Sequence, residues 1–215
     1  MTIKVKICGL STVQSVRAAT EAGASHLGFV FFEKSPRNVT PEKVAELAAD
    51  IPSSILKTGV FVNPDNQQLQ RILNIAPLNL IQLHGNESPE RVQEIKKYFG
   101  LPVMKAIAIS DTNDIALAKT YENSADMLLF DAKPTASLKD ALPGGNGLSF
   151  DWQLIKGTDW QIPWMLSGGL DALNIRQAIT ISGAEIVDIS SGIENQPGEK
   201  SIAKIKAFIS KVKNI

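Results

Sequence analysis

The sequence predicts an α/β fold in which eight parallel strands close into a (β/α)8 barrel. Three observations carry that prediction. Short β-type runs alternate with amphipathic helical stretches along the whole chain of 215 residues. Eight such runs are present, which leaves about 27 residues for each strand–helix unit, near the lower end of the barrel range. Polar residues also recur at the C-terminal ends of the runs, the end where barrel enzymes assemble their sites. An open doubly wound sheet is the rival arrangement, but its dinucleotide signature, Gly-x-Gly-x-x-Gly, does not follow the first strand. No shift in composition and no linker marks a boundary, so residues 1–215 read as one barrel domain.

The elements follow in order. The first strand is Ile3–Cys8, and Ser11 with Gln14 three positions on reads as a capping box for the helix after it. The second strand is His26–Phe32. Thr40 before Pro41 is an N-cap followed by proline at the first helical position, and Val44, Leu47 and Ala48 form the buried stripe. The third strand is Leu56–Val62, with Asn63 before Pro64 as the next cap and Leu69, Ile72 and Leu73 as the stripe. The fourth is Leu78–Leu83, followed by Ser88 before Pro89 and the stripe Val92, Ile95, Phe99. Pro102–Ile107 and Ala125–Phe130 are the fifth and sixth. A long irregular stretch, Ala132–Phe150, then carries Pro134, Pro143, Gly144, Gly145 and Gly147, and an irregular loop of that length reads as a lid or binding loop. A short helix is expected around Trp152–Ile155. Pro163–Leu166 is the seventh strand, with Asp171 capping a helix through Ile175, Ala178 and Ile179. Glu185–Ile189 is the eighth, and Ile202, Ile205, Ile209 and Val212 mark the last helix.

Composition narrows the function. Apolar residues make up 44% and charged residues 20%, an ordinary globular balance that excludes a disordered chain, a collagen or a coiled coil. Lysine plus arginine and aspartate plus glutamate each number 22, so there is no basic surplus to neutralise a phosphate backbone, and nucleic acid is not an expected partner. The single cysteine, Cys8, rules out an intrachain disulfide and a zinc site of several cysteines. His26 and His84 are far apart in sequence and no His-x-x-x-His pattern occurs, so no metal site is expected. The stretch Met1–Ile7 is too short and too charged for a signal peptide, and no apolar run approaches the roughly 20 residues that span a bilayer. The expectation is a soluble cytoplasmic protein with no membrane partner.

Strand side chains alternate in direction. In the first strand Ile3, Val5 and Ile7 share an apolar face that belongs against helices. Lys6 and Cys8 then look into the barrel near its C-terminal end. The same parity argument turns Gln82 and His84 inward, with Lys105 (beside Val103 and Ile107), Asp131, Asp188 and Ser190. An unpaired charge inside a barrel is costly. Lys6 therefore needs a carboxylate, and closure of the barrel would bring Asp188 next to it. Cys8, Arg37, His84 and Asp131 each have an ordinary structural use, such as a small core residue, a solvated loop charge, a strand-end hydrogen bond or a turn cap. Their convergence at or just after strand ends favours function. Two segments look like an anion cradle: Gly168-Gly169 after the seventh strand, and Ser190-Ser191-Gly192 after the eighth. Glycine lets backbone N–H groups approach an anion, and barrels often bind phosphate with these two loops.

These residues resemble the phosphoribosylanthranilate isomerase family of tryptophan biosynthesis. The resemblance rests on Lys4-Val5-Lys6-Ile7-Cys8-Gly9-Leu10, Ser35-Pro36-Arg37, Ile81-Gln82-Leu83-His84-Gly85, Leu129-Phe130-Asp131, Leu166-Ser167-Gly168-Gly169-Leu170 and Val187-Asp188-Ile189-Ser190-Ser191-Gly192-Ile193-Glu194, in order along the chain. It implies a metal-free, cofactor-free Amadori rearrangement of an N-linked ribose phosphate to a 1-amino-1-deoxyketose. It also implies Asp131 as general acid and Cys8 as general base. For that chemistry Cys8 must be partly thiolate and Asp131 must hold a proton. The resemblance assigns Lys6, Arg37, Gln82, His84 and Asp188 to substrate, with Arg37 on the anthranilate carboxylate, and gives the phosphate to Gly168, Gly169, Ser190, Ser191 and Gly192. The expected partner is a small phosphorylated aminosugar, and the chain is expected as a monomer or homodimer.

Two alternatives stand beside this reading. One is the histidine-pathway isomerase, which has a phosphate motif in each half-barrel and an aspartate in place of Cys8. The other is a non-catalytic sugar-phosphate binding barrel, which would need the phosphate loops but not both Cys8 and Asp131.

Overall fold

A computed structural model describes residues 2–134 and 142–215. Eight parallel strands close into a barrel in sequential order, β1 through β8. They are β1 (Lys4–Cys8), β2 (His26–Phe31), β3 (Leu56–Phe61), β4 (Leu80–Leu83), β5 (Val103–Ile109), β6 (Met127–Ala132), β7 (Trp164–Leu166) and β8 (Ile186–Ile189). The seam between β1 and β8 pairs Lys6 with Asp188 and Ile7 with Ile189. Helices α1 (Val13–Ala22), α2 (Pro41–Ala48), α3 (Asn66–Leu73), α4 (Pro89–Phe99) and α5 (Thr112–Lys119) follow the first five strands. After β6, among the described residues, the short helix expected around Trp152–Ile155 is the 3-10 helix Trp152–Leu154. Helices α6 (Ile175–Ser182) and α7 (Ile202–Lys213) complete the ring. Among the described residues no helix is long and apolar enough to cross a membrane.

Two cores divide the strand side chains by parity. Val5, Ile7, Phe29, Phe61, Ile81, Phe130 and Val187 point outward into the layer shared with the helices. Leu80, Met104, Ala106, Leu129 and Met165 fill the barrel interior, and Cys8, Val30 and Val60 cluster separately. Interior side chains in layers make a packed core rather than a pore. This packing corrects one expectation. Val103 and Ile107 belong to the outer core and Met104 and Ala106 to the inner one, so Lys105 lies on the outward face of β5. There it is buried, and its ammonium meets Glu87 at 2.9 Å and the carbonyl of Gly85 at 2.7 Å.

Helix starts follow the local chemistry, with three revisions. Thr40 and Ser88 cap α2 and α4 through their hydroxyls, each ahead of proline, as expected. Helix α1 is capped by Thr12 rather than Ser11, because Thr12 holds the extended backbone of an N-cap and its hydroxyl accepts from Ser15 N. Asn63 cannot cap α3, since its φ of 48° is left-handed. Asp65 does so, accepting from Gln68 N, while Asn63 ties its loop to the next by accepting from Asn86 N. Asp171 accepts from Leu173 N and Asn174 N in a turn ahead of α6, and Asn174 occupies the cap position.

Between β8 and α7 the chain forms an unexpected hairpin, β9 (Glu194–Gln196) and β10 (Glu199–Lys200). Its turn holds Pro197 and Gly198, a breaker pair, with Gly198 at φ 88°. A side chain at Gly198 would strike the carbonyl oxygen of Pro36, so the hairpin leans directly on the segment that carries Arg37.

Candidate active site

A cavity opens at the C-terminal end of the barrel. Of the residues singled out from sequence, Cys8, Arg37, Gln82, His84, Asp131, Gly168, Gly169, Asp188, Ser190 and Ser191 line it. Lys6 and Gly192 do not. Lys6 is fully buried beneath Asp188, so it supports the site rather than touching a ligand. Gly192 packs against the backbone of Leu170, where any side chain would collide with the Leu170 carbonyl.

Strand geometry sets Cys8 and Asp131 apart. Cys8 ends β1 and Asp131 lies near the end of β6, so three strand-to-strand steps (β6–β7, β7–β8, β8–β1) separate them on the shorter way round. Asp131 accepts from Ala132 N through Oδ1 at 2.9 Å, and its Oδ2 lies 3.3 Å from His84 Nε2. His84 Nδ1 is 2.9 Å from Gln82 Nε2. An amide nitrogen only donates, so in this arrangement Nδ1 accepts and Nε2 carries the hydrogen that faces Asp131.

Burial pushes the Cys8 thiol above its usual range, and the Asp188 carboxylate adds to the effect. Lys6 and Lys200 pull the other way without overcoming it. The expected partial thiolate is therefore not the resting form of the empty cavity, because desolvation outweighs two nearby cations. Lys6 stays charged. Burial opposes its charge, but Asp188 at 2.9 Å and Cys8 beyond it raise its pKa.

Arg37 is buried and partly engaged. Its Nε and Nη2 donate to the two oxygens of Glu194, both at 2.8 Å, a bidentate pair. Lys200 Nζ reaches Glu194 Oε1 at 2.6 Å and also donates to Ser190 O at 2.9 Å. The Ser190 hydroxyl in turn donates to the carbonyl of Cys8 at 3.2 Å. Burial lowers the Lys200 pKa, with Glu194 opposing the shift. For the Glu194 carboxyl, burial works upward, but Arg37 and Lys200 hold it low. Glu194 and Lys200 were not singled out by sequence. Glu194 closes the last matching motif and was visible there, whereas Lys200 returns only through the hairpin.

The expected phosphate loops stand side by side. Gly168 and Gly169 adopt φ of 87° and 58°, a left-handed pair that a side chain would strain. Their N–H groups donate to no partner among the described residues. Of the expected lid, residues 135–141 lie outside the described residues. Its Leu142–Gly147 part lines the cavity, with Gly144 so close to His84 and Asp131 that a methyl group there would overlap both. Among the described residues no group of three or more His, Cys, Asp or Glu side chains is placed to hold a metal ion.

The fold and the chemistry gathered at its C-terminal mouth place the protein among the (β/α)8-barrel enzymes. Sequence comparison narrows that class. The chain belongs to the N-(5'-phosphoribosyl)anthranilate (PRA) isomerase family, whose sequence model matches residues 5–211. The N-(5'-phosphoribosyl)anthranilate isomerase of Paracoccus denitrificans is 51% identical over 212 residues, covering 98% of this chain and 97% of its own. The crystal structure of phosphoribosyl anthranilate isomerase from Thermotoga maritima superposes with a TM-score of 0.88 at 33% identity, over 100% of both chains. A crystal structure of the same kind of enzyme in complex with reduced 1-(o-carboxyphenylamino)-1-deoxyribulose 5-phosphate gives 0.83 at 31% identity, again over 100% of both chains.

Proposed function

We propose that the chain converts N-(5'-phosphoribosyl)anthranilate to 1-(2-carboxyphenylamino)-1-deoxyribulose 5-phosphate, with Asp131 as general acid and Cys8 as general base. The carrying observation is that both side chains line one cavity from separated strands, together with Arg37 and the Gly168–Gly169 and Ser190–Ser191 loops. A ligand that carries both a carboxylate and a phosphate matches that set of groups.

The steps follow from the groups. Asp131 gives its proton to the furanose ring oxygen, the C1–O bond breaks, and the amine lone pair forms a C1=N iminium. The Cys8 thiolate then takes the proton from C2, and the released electron pair forms C1=C2 and neutralises the nitrogen. The enolamine ketonises, with C1 gaining a proton and the C2 hydroxyl losing one, so the net change is an isomerisation. Cys8 acts only in its thiolate fraction. Lys6 and Lys200 are the cations that favour that fraction.

Gln82 and His84 govern how Asp131 holds its proton. With the Gln82 nitrogen on Nδ1, the Nε2–H of His84 points at Asp131 Oδ2 and suits a carboxylate. With the amide turned over, Gln82 Oε1 accepts from Nδ1–H, and the bare Nε2 accepts a carboxylic proton from Oδ2. Gln82 Oε1 has no partner in the first orientation. The two tautomers match the two states of an acid that gives up and regains a proton.

The reading carries tryptophan biosynthesis and a cytoplasmic setting with it, and requires no cofactor. Its test is the loss of substrate fluorescence with PRA made in situ and EDTA present. Cys8→Ala and Asp131→Asn are each expected to abolish turnover while still binding the reduced product analogue. Turnover surviving equally in both variants would overturn the assignment.

A further inference from the structure

We infer that Glu194 is the positioning residue that decides which edge of Arg37 meets the substrate, making the β9–β10 hairpin a selectivity element for a carboxylate-bearing aromatic amine. The inference rests on the reading that Arg37 receives the substrate carboxylate.

A guanidinium offers its donors along fixed edges. Glu194 occupies the edge made by Nε and Nη2. Nη1 and the second hydrogen of Nη2 remain, and they face the cavity rim. Nη2 reaches toward the carbonyl of Gly145 at 3.4 Å, a weak contact, and a side chain at Gly145 would sit 2.8 Å from Nη1. One edge is thus fixed to protein and the other is left for a planar anion.

Charge supports the same conclusion. Arg37, Glu194 and Lys200 are all buried, with side chains 6%, 3% and 1% exposed. Among the described residues this cluster of two cations and one anion has one positive charge in excess, and no second carboxylate pairs with Arg37 to neutralise it. A bound carboxylate would do so. Glu194 cannot easily shift to spare either cation. Its own carbonyl is held by Lys204 Nζ at 2.6 Å, and its hairpin rests on Pro36 through Gly198. Removing the Glu194 charge would leave Arg37 and Lys200 repelling each other, and Arg37 would turn its occupied edge away.

The experiment compares kcat/KM for N-(5'-phosphoribosyl)anthranilate with that for N-(5'-phosphoribosyl)aniline, which lacks the carboxylate. The native chain, Glu194→Gln, Glu194→Asp and Arg37→Met are measured side by side. Glu194→Asp keeps the charge, so it protects the test if Glu194→Gln fails to fold. The expected result is a loss of about 10- to 100-fold for the anthranilate substrate, expressed mainly in KM, with the aniline compound changed less than about twofold. Equal losses on both substrates would make Glu194 merely structural and overturn the inference. An unchanged ratio in the Glu194 variants with a collapsed ratio in Arg37→Met would overturn it too, leaving the Arg37 reading intact. A ratio unchanged in Arg37→Met would remove that reading and the inference together.

Discussion

Lys6 Nζ lies 2.9 Å from Asp188 Oδ1 across the seam where the barrel closes, the lysine side chain fully buried and the aspartate nearly so. One charge is useless there without the other. Asp188→Leu would strand a buried ammonium, and Lys6→Met would strand a carboxylate that also lines the cavity. Each single change is expected to cost about 3–5 kcal/mol. The double change Lys6→Met with Asp188→Leu is expected to recover much of that loss, because no unpaired charge remains. Urea unfolding of the four proteins gives the coupling directly. Purely additive losses would mean that the pair does not stabilise the seam.

Cys8 sits two residues along from Lys6, and burial holds its thiol above the usual range of about 8–9. The thiolate fraction therefore keeps growing through and beyond that range. Iodoacetamide labelling of the empty enzyme is expected to reach half its limiting rate above pH 9. Lys200→Met should move that midpoint further upward, since it removes one of the two cations that favour the thiolate. Half-maximal labelling below pH 8 would contradict this balance of burial against charge.

The eight strands and the Lys6–Asp188 pair were legible because alternation in a buried strand is strong and a buried charge demands a partner. Lys105 was not. Strand β5 is apolar on both faces, so parity had nothing to anchor it, and Glu87, the partner that settles Lys105, lies in the loop after β4. The helix starts at Thr12 and Asp65 shifted by one or two positions because capping depends on backbone angles that sequence does not state. Arg37 was singled out from sequence and lines the cavity, but its fixed edge was not legible, since Glu194 reaches it from 157 positions away.

His26 gives the fold a sensitivity to acid that is independent of catalysis. It is buried, its Nδ1 is 2.9 Å from Ser25 Oγ, and its Nε2 has no partner among the described residues. Burial first, then Lys6 and Lys4, push its pKa down from 6.5 to about 4. The folded state therefore resists a proton that the unfolded chain accepts. Stability from this source is complete above pH 6.5 and falls as pH drops toward 4, by about 3 kcal/mol over the window. His26→Gln is expected to unfold in urea with a shallower dependence on pH between those limits. Parallel slopes for the two proteins would show that His26 titrates normally in the fold.

With Asp131 as the proposed acid, removal of Gln82 is the change that would separate orientation of that acid from binding of the substrate. It is buried, its amide nitrogen holds His84 Nδ1, and His84 reaches Asp131 Oδ2. A methionine of similar size would fill the space but could neither donate to Nδ1 nor accept from it. His84 would then choose its tautomer without guidance, and Asp131 would lose the partner that follows its proton. Gln82→Met is expected to lower kcat by about 10- to 100-fold while KM changes less than about twofold, because Arg37 and the phosphate loops are untouched. Gln82→Glu should differ in kind: a carboxylate only accepts, so it fixes the Nδ1–H tautomer and leaves Nε2 open to the acidic proton. Activity near that of the native chain in Gln82→Glu, beside the loss in Gln82→Met, would identify the tautomer that carries the acid step. Equal activity in all three would show that the glutamine only packs.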